Sequence, residues 1–158
     1  TWFTKNLQHT YTEPVVFMQI DTFGGAEPAH IRLKNINSNT FQYQIEEWDY
    51  TPNQGHAIET MAYLVIETGS YQLADGTKLE VGKVDATDQW TPTIPFTQSF
   101  TSTPVTLSQS QTYNGAQAVV TRQQLGTSTG FQVRLQEEEG NDGTHVAETI
   151  GYIAIETS

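Results

Sequence analysis

A chain of 158 residues with 36% hydrophobic and 16% charged residues is too apolar for intrinsic disorder and too poor in charge for a long-helical protein. Eighteen acids against seven Lys and Arg give a net charge of −11 with His neutral, a field that repels polyanions and excludes nucleic acid as an expected partner. The absence of cysteine excludes a disulfide framework, a thiolate nucleophile and a Cys-based zinc site, and no apolar run approaches the ~18 residues of a membrane span.

Read in order, the chain is a series of short strands. Pro14 to Ile20 is β-branched and aromatic, with Pro at its start. Asp21 to Gly25 is a turn, and Ala29 to Asn35 then alternates, Ile31 and Leu33 on one face and His30, Arg32 and Lys34 on the other, so Arg32 is expected to face outward. After the Asn35–Thr40 turn, Phe41, Tyr43 and Ile45 alternate with Gln42, Gln44 and Glu46 and lead to Trp48 on the polar face. Thr51 to Gly55 is a loop, and His56 to Thr68 is a closing strand mixed on both faces, as a central strand would be. Gly69 to Pro95 is a connection, with Asp75-Gly76 as a hairpin signal and Leu79 to Val84 as a short strand. Val105 to Ser110, Ala118 to Gln123, Phe131 to Gln136 and His145 to Glu156 complete the strand series. No stretch carries a 3.6-residue apolar period, so the expected fold is all-β.

The closing strands repeat one pattern. His56, Glu59, Thr60, Tyr63, Ile66, Glu67 and Thr68 recur as His145, Glu148, Thr149, Tyr152, Ile155, Glu156 and Thr157, at an offset of 89 residues. Upstream, Pro14, Gln19, Thr22, Gly25, Arg32, Phe41 and Glu47 recur as Pro104, Gln109, Thr112, Gly115, Arg122, Phe131 and Glu137, at an offset of 90. Two copies of one unit account for nearly the whole chain, and the reading is two tandem antiparallel β-sandwich units, residues 1–72 and 73–158. Leu79 to Val84 has no counterpart ahead of Trp2, which leaves the first unit to lack or borrow one edge strand. Starting at Thr1 without Met or a signal-like segment, the chain reads as a module of a larger or processed secreted protein.

Pro-Val, then Arg, then Phe nine residues later, then a closing strand ending Ile-x-Ile-Glu is a pattern that resembles the H-type lectin domain. It is carried by Pro14-Val15, Arg32, Phe41 and Tyr63 to Glu67 in the first copy and by Pro104-Val105, Arg122, Phe131 and Tyr152 to Glu156 in the second. Similar tandem repeats resemble the ancillary regions of secreted marine bacterial enzymes that degrade algal polysaccharides, which implies attachment to a catalytic domain. The lectin resemblance implies a sugar at the subunit contact, held by the Arg and by a Trp-His pair. Arg32, Arg122 and Trp48 match those positions, whereas Asp49 replaces the His and Glu138-Glu139 replace both in the second copy.

The candidate carbohydrate-binding residues are therefore Arg32, Glu47, Trp48, Asp49 and His56 in the first copy and Arg122, Glu137, Glu138 and His145 in the second. An arginine offers five fixed donors to vicinal hydroxyls, although Glu47 and Glu137 could equally occupy the guanidinium. An exposed indole offers a flat apolar surface to a sugar ring; its bland alternative is packing between units. His56 with Glu59 and His145 with Glu148 have metal-ligand spacing, but on a strand i and i+3 point to opposite faces, so zinc is not expected. Each His then either meets a sugar hydroxyl, fixes Glu47 or Glu137, or merely closes its loop. Glu137 to Asp142 gathers oxygen ligands without an EF-hand register, leaving calcium as a minor alternative to no cofactor at all. No glycosidase cleft, Gly-x-Ser-x-Gly motif or phosphate loop is legible. The expected function is a non-catalytic module binding a neutral polysaccharide, an agar-type galactan following from the resemblance, with a structural or adhesion repeat as the alternative.

Overall fold

The computed structural model describes residues 1–51, 55–141 and 143–157. It is all-β: β1 (Phe3–Asn6), β2 (Pro14–Ile20), β3 (Ala29–Lys34), β4 (Thr40–Glu47), β5 (Met61–Glu67), β6 (Gly69–Gln72), β7 (Lys78–Ala86), β8 (Ile94–Pro95), β9 (Val105–Ser110), β10 (Val119–Gln124), β11 (Gly130–Glu137) and β12 (Glu148–Ile155). The one helical piece among the described residues is a three-residue turn at Glu139–Asn141, so no helix is long enough to cross a membrane.

The strands form four antiparallel sheets, β1-β4-β3, β2-β5, β10-β11-β8 and β6-β7-β12-β9. Alternation decides how they stack, because residues of one parity along a strand face one side. Val16 and Met18 of β2 meet Ile31, Leu33 and Phe41 of β3 and β4 to fill a first sandwich. Val119, Phe131, Val133, Leu135, Ile150 and Tyr152 fill a second between β10-β11 and β12. A third apolar cluster, Val15, Val81 and Ile153, lies on the opposite faces of β2, β7 and β12 and joins the two sandwiches face to face.

Two readings of the closing strands change. β5 starts at Met61 and β12 at Glu148, because residues 56–60 and 145–147 are irregular segments whose side chains bind the preceding turns. β12 is central, between β7 and β9, whereas among the described residues β5 pairs with β2 alone and keeps an open edge where β7 stands in the second sandwich. The Asp75-Gly76 signal does mark a hairpin: Gly76 takes φ +92° and Leu73 N–H donates to Thr77 O at 2.8 Å. Most of the expected loop at Thr51 to Gly55, residues 52–54, lies outside the described residues.

The joint between sandwiches is close enough to depend on a missing side chain. A Cβ on Gly151 would sit 2.5 Å from Val15 Cγ1 and 2.9 Å from Gln111 Cδ. Gly151→Ala should therefore cost about 1–3 kcal/mol in chemical denaturation, as overpacking does. Gly55→Ala, where a Cβ meets no neighbour within 4 Å, should stay within about 0.5 kcal/mol.

Candidate functional site

The repeated polar residues assemble into the same bonded unit twice. In the first half, Glu59 accepts from the Thr22 hydroxyl and from the N–H groups of Gly24 and Gly25, at 2.5, 2.6 and 2.9 Å. His56 lies between two carboxylates, Nδ1 3.2 Å from Glu47 and Nε2 3.2 Å from Glu59. In the second half Glu148 accepts from Thr112 and from the N–H groups of Asn114 and Gly115, and His145 lies 2.8 Å from Glu137 and 3.3 Å from Glu148. The paired glycines are explained by the imidazoles: a Cβ would stand 2.8 Å from His56 Cε1 at Gly25 and 2.5 Å from His145 Cε1 at Gly115. The i, i+3 His-Glu pairs do meet, contrary to the strand argument, because residues 56–60 and 145–147 are irregular and the strands begin only after them.

These carboxylates are stabilised as anions. The Thr22 hydroxyl, then the Gly25 N–H, hold Glu59 down at about 2 despite desolvation. Burial pushes Glu148 up, but the hydrogen bonds from Gly115, Thr112 and Asn114 outweigh it and leave the group below its ordinary value. His56 and His145 thus close loops by fixing Glu47 and Glu137, and His145 is fully buried. Glu27, Glu47 and His56 bring one ligand atom each within 4.8 Å of one another, which is the nearest approach to a metal-ligand set among the described residues. Of the Glu137–Asp142 oxygen cluster, Asp142 lies outside the described residues.

Arg32 is the main correction. Its side chain does leave the first core, on the face opposite Ile31 and Leu33, but that face is covered by the second sandwich and the residue is only 1% exposed. Nη1 donates to Glu46 at 3.0 Å and to the Gln117 carbonyl at 2.8 Å, while Nη2 reaches Glu148 at 3.3 Å and the Gly115 carbonyl at 3.4 Å. Its guanidinium carbon lies 4.5 Å from the centre of the Tyr113 ring. Burial pushes Glu46 up, but the His30 hydrogen bond and the Arg32 charge outweigh it and leave the group below its ordinary value. Beside this clamp, Gln111 and Gln109 act as side-chain substitutes for a strand. Gln111 accepts from Val16 N–H and donates to Val16 O, both at 2.8 Å, and Gln109 does the same for Met18 at 2.8 and 3.0 Å. They satisfy the edge of β2 that lacks a neighbouring strand.

Glu46, Tyr113, Gln109 and Gln111 escaped the sequence reading as site residues, although Gln109 and Gln111 stand two apart on one face of β9 and its extension. Glu80 escaped it too, a buried carboxylate that accepts from Thr97, Gln98 and Tyr152; burial, and then the Glu80 charge, pushes the Tyr152 phenol up.

Four of the expected residues come together elsewhere. Trp48 and Tyr50 of the first half and Arg122, Gln136, Glu137, Glu138 and Glu139 of the second line a cleft of about 300 Å³. Trp48 is half-buried, its ring 5.0 Å from that of His30, whereas Asp49 and Arg122 are exposed. Trp2 stacks edge-on against Tyr113 with Lys34 3.9 Å over its ring, a packing role.

The chain is similar to part of halomucin. That protein, from Haloquadratum walsbyi, is 32% identical over 164 residues, a match covering 97% of this chain and 2% of halomucin. The chain thus spans a small fraction of that relative's length. No protein-family description matches the chain, and no solved structure does. An all-β chain with this likeness fits a non-catalytic structural or binding domain.

Two expectations follow from the geometry. Arg32→Ala leaves Glu46 and Glu148 buried without their cation and should cost about 3 kcal/mol in urea unfolding, whereas exposed Arg122→Ala should stay within about 0.5 kcal/mol. Because the folded-state pKa values of Glu59 and Glu148 lie below their ordinary 4.5, the stability they confer is present above pH 4.5. For Glu59 it should be lost as pH falls from about 4.5 towards 2, and Glu59→Gln should flatten the fall of the melting temperature over that window.

Proposed function

We propose that this chain is a non-catalytic structural repeat module of an extracellular or surface protein, built from two units at about 1–72 and 73–158 whose repeated polar residues serve unit-to-unit packing. The observation that carries this reading is Arg32, the residue best suited to bind a ligand, which is spent on Glu46, Glu148 and two carbonyls of the other half. The likeness to halomucin supports the extracellular setting. The module acts without a cofactor, and its charge of −11 keeps it from nucleic acids and anionic membranes.

A second reading is favoured by one observation, the cleft that places an indole, a phenol, a guanidinium and carboxylates around about 300 Å³. Aromatic faces with a few polar groups suit a sugar, and a neutral polymer suits an acidic protein better than a sulfated one. On this reading the module binds an agar-type galactan on behalf of an attached catalytic domain, with Trp48, Arg122 and Glu138 as contacts in place of Arg32, His56 and His145.

Calorimetry and affinity electrophoresis separate the two. The packing reading expects one cooperative transition, split or broadened by Arg32→Ala, and no retardation in agarose, carrageenan, alginate, chitin or cellulose. Retardation in agarose that Trp48→Ala and Arg122→Ala abolish, with the melting temperature unchanged, would establish the sugar reading instead.

A further inference from the structure

The joint between the two halves is head-to-tail, since each half presents a different face to it. The first contributes Val15, Phe17 and Arg32; the second contributes Tyr113, the Gly115–Gln117 turn, Glu148 and Ile153. At the offset of 90 or 89 residues each of these has a counterpart in the other half, and the counterparts are unmet. Val15 is 0% exposed and its counterpart Val105 is 50% exposed, and Phe17, partly buried in the joint, corresponds to half-exposed Leu107. Ile153 is 3% exposed and its counterpart Leu64 is 50% exposed. Tyr113 stacks on Arg32, while its counterpart Phe23 is 84% exposed. Arg122, the counterpart of Arg32, makes no ion pair among the described residues, and the turn equivalent to its target carries Glu27, close to Glu47 and His56, in place of Gln117.

The two unmet faces do not lie at opposite ends of the molecule. Leu64 and Gln19 of the first half and Leu107, Ser108 and Thr121 of the second line one groove of about 650 Å³. A head-to-tail contact that repeats without closing leaves its free faces pointing apart, whereas one that closes brings them towards a common space. We infer that this groove is the seat of a third repeat of the kind this chain carries twice. The Arg122 guanidinium enters the third repeat's glycine-glutamate turn, and the third repeat's own arginine enters the turn of Gly25, Glu27 and Glu59. Leu64, Leu107 and Val105 then become covered as Ile153, Phe17 and Val15 already are. A complete second copy of this chain does not fit the seat, because the seat requires a repeat with both faces free and each repeat of such a copy has one face already used. A chain with more repeats supplies one: the stretch matched in halomucin is 2% of that protein, so the matching region there is flanked by far more sequence. The inference rests on the packing reading and names the partner of that packing.

The test is a three-repeat chain, made by continuing after Thr157, the counterpart of Thr68, with a second copy of residues 69–158. It is compared with the 158-residue chain by scanning calorimetry and sedimentation velocity. The expected result is a monomer that melts in a single transition above the parent. Arg122→Ala in its middle repeat should lower that melting temperature by at least about 5 °C, while the same substitution in the parent is silent. An appended repeat that stays unfolded or melts separately, or an Arg122→Ala that is silent in the three-repeat chain, overturns the inference. So does a parent chain that dimerises at micromolar concentration and is made monomeric by Leu107→Glu, since the occupant is then a second copy. Arg32→Ala in the parent keeps the readings apart: if it destabilises while the three-repeat results are negative, the packing reading stands and the third repeat falls.

Discussion

Much of this structure depends on where one guanidinium is buried. Arg32 leaves the first sandwich at the point where the second covers it, and a buried cation is tolerated only when its donors are met. Glu46 meets it from its own sheet, and Glu148 with the Gly115 and Gln117 carbonyls meets it from the other. Glu148 can do so because Thr112, Asn114, Gly115 and His145 already hold it, and His145 is held in turn by Glu137. A chain of polar contacts thus runs from Glu137 of the second sandwich through His145, Glu148 and Arg32 to Glu46 of the first.

Around that network the apolar contacts are modest. Val15, Val81 and Ile153 form the joint, and the bare Gly151 lets β2 approach β12. The edge of β2 is met by side-chain amides instead of another strand, so that two sandwiches associate without merging their sheets. Replacing a ladder by Gln109 and Gln111 supplies direction, since each amide must present its oxygen and nitrogen to the correct backbone groups. That directionality fixes the register of one sandwich on the other, which a smooth apolar face would leave less defined.

The two halves use the same polar unit for different ends. In the second half the glycine-glutamate turn receives Arg32; in the first the equivalent turn, with Phe23 and Glu27, faces outward. Equivalent residues therefore differ in burial according to what covers them. The same holds for Trp48, whose indole leans on His30 at the margin of a cleft that the second half completes with Arg122 and Glu138.

The sequence alone determined the all-β class, the strand series apart from the short β1, β6 and β8, the Asp75-Gly76 hairpin and the repeated pattern, because alternation and turn chemistry are local and leave a period in the chain. It also singled out His56, Glu59, His145 and Glu148, although it placed all four within strands, whereas β5 begins at Met61 and β12 at Glu148 itself. Tertiary structure decided whether outward meant exposed. Alternation gives the face on which Arg32 leaves its sheet, but no local rule says that another sandwich lies over that face. Only the fold sets Glu148, Gly115 and Gln117, 83 to 116 residues away, around it. The identical residue Arg122, with the same local pattern, stays exposed at the margin of a cleft because none of the described residues covers it.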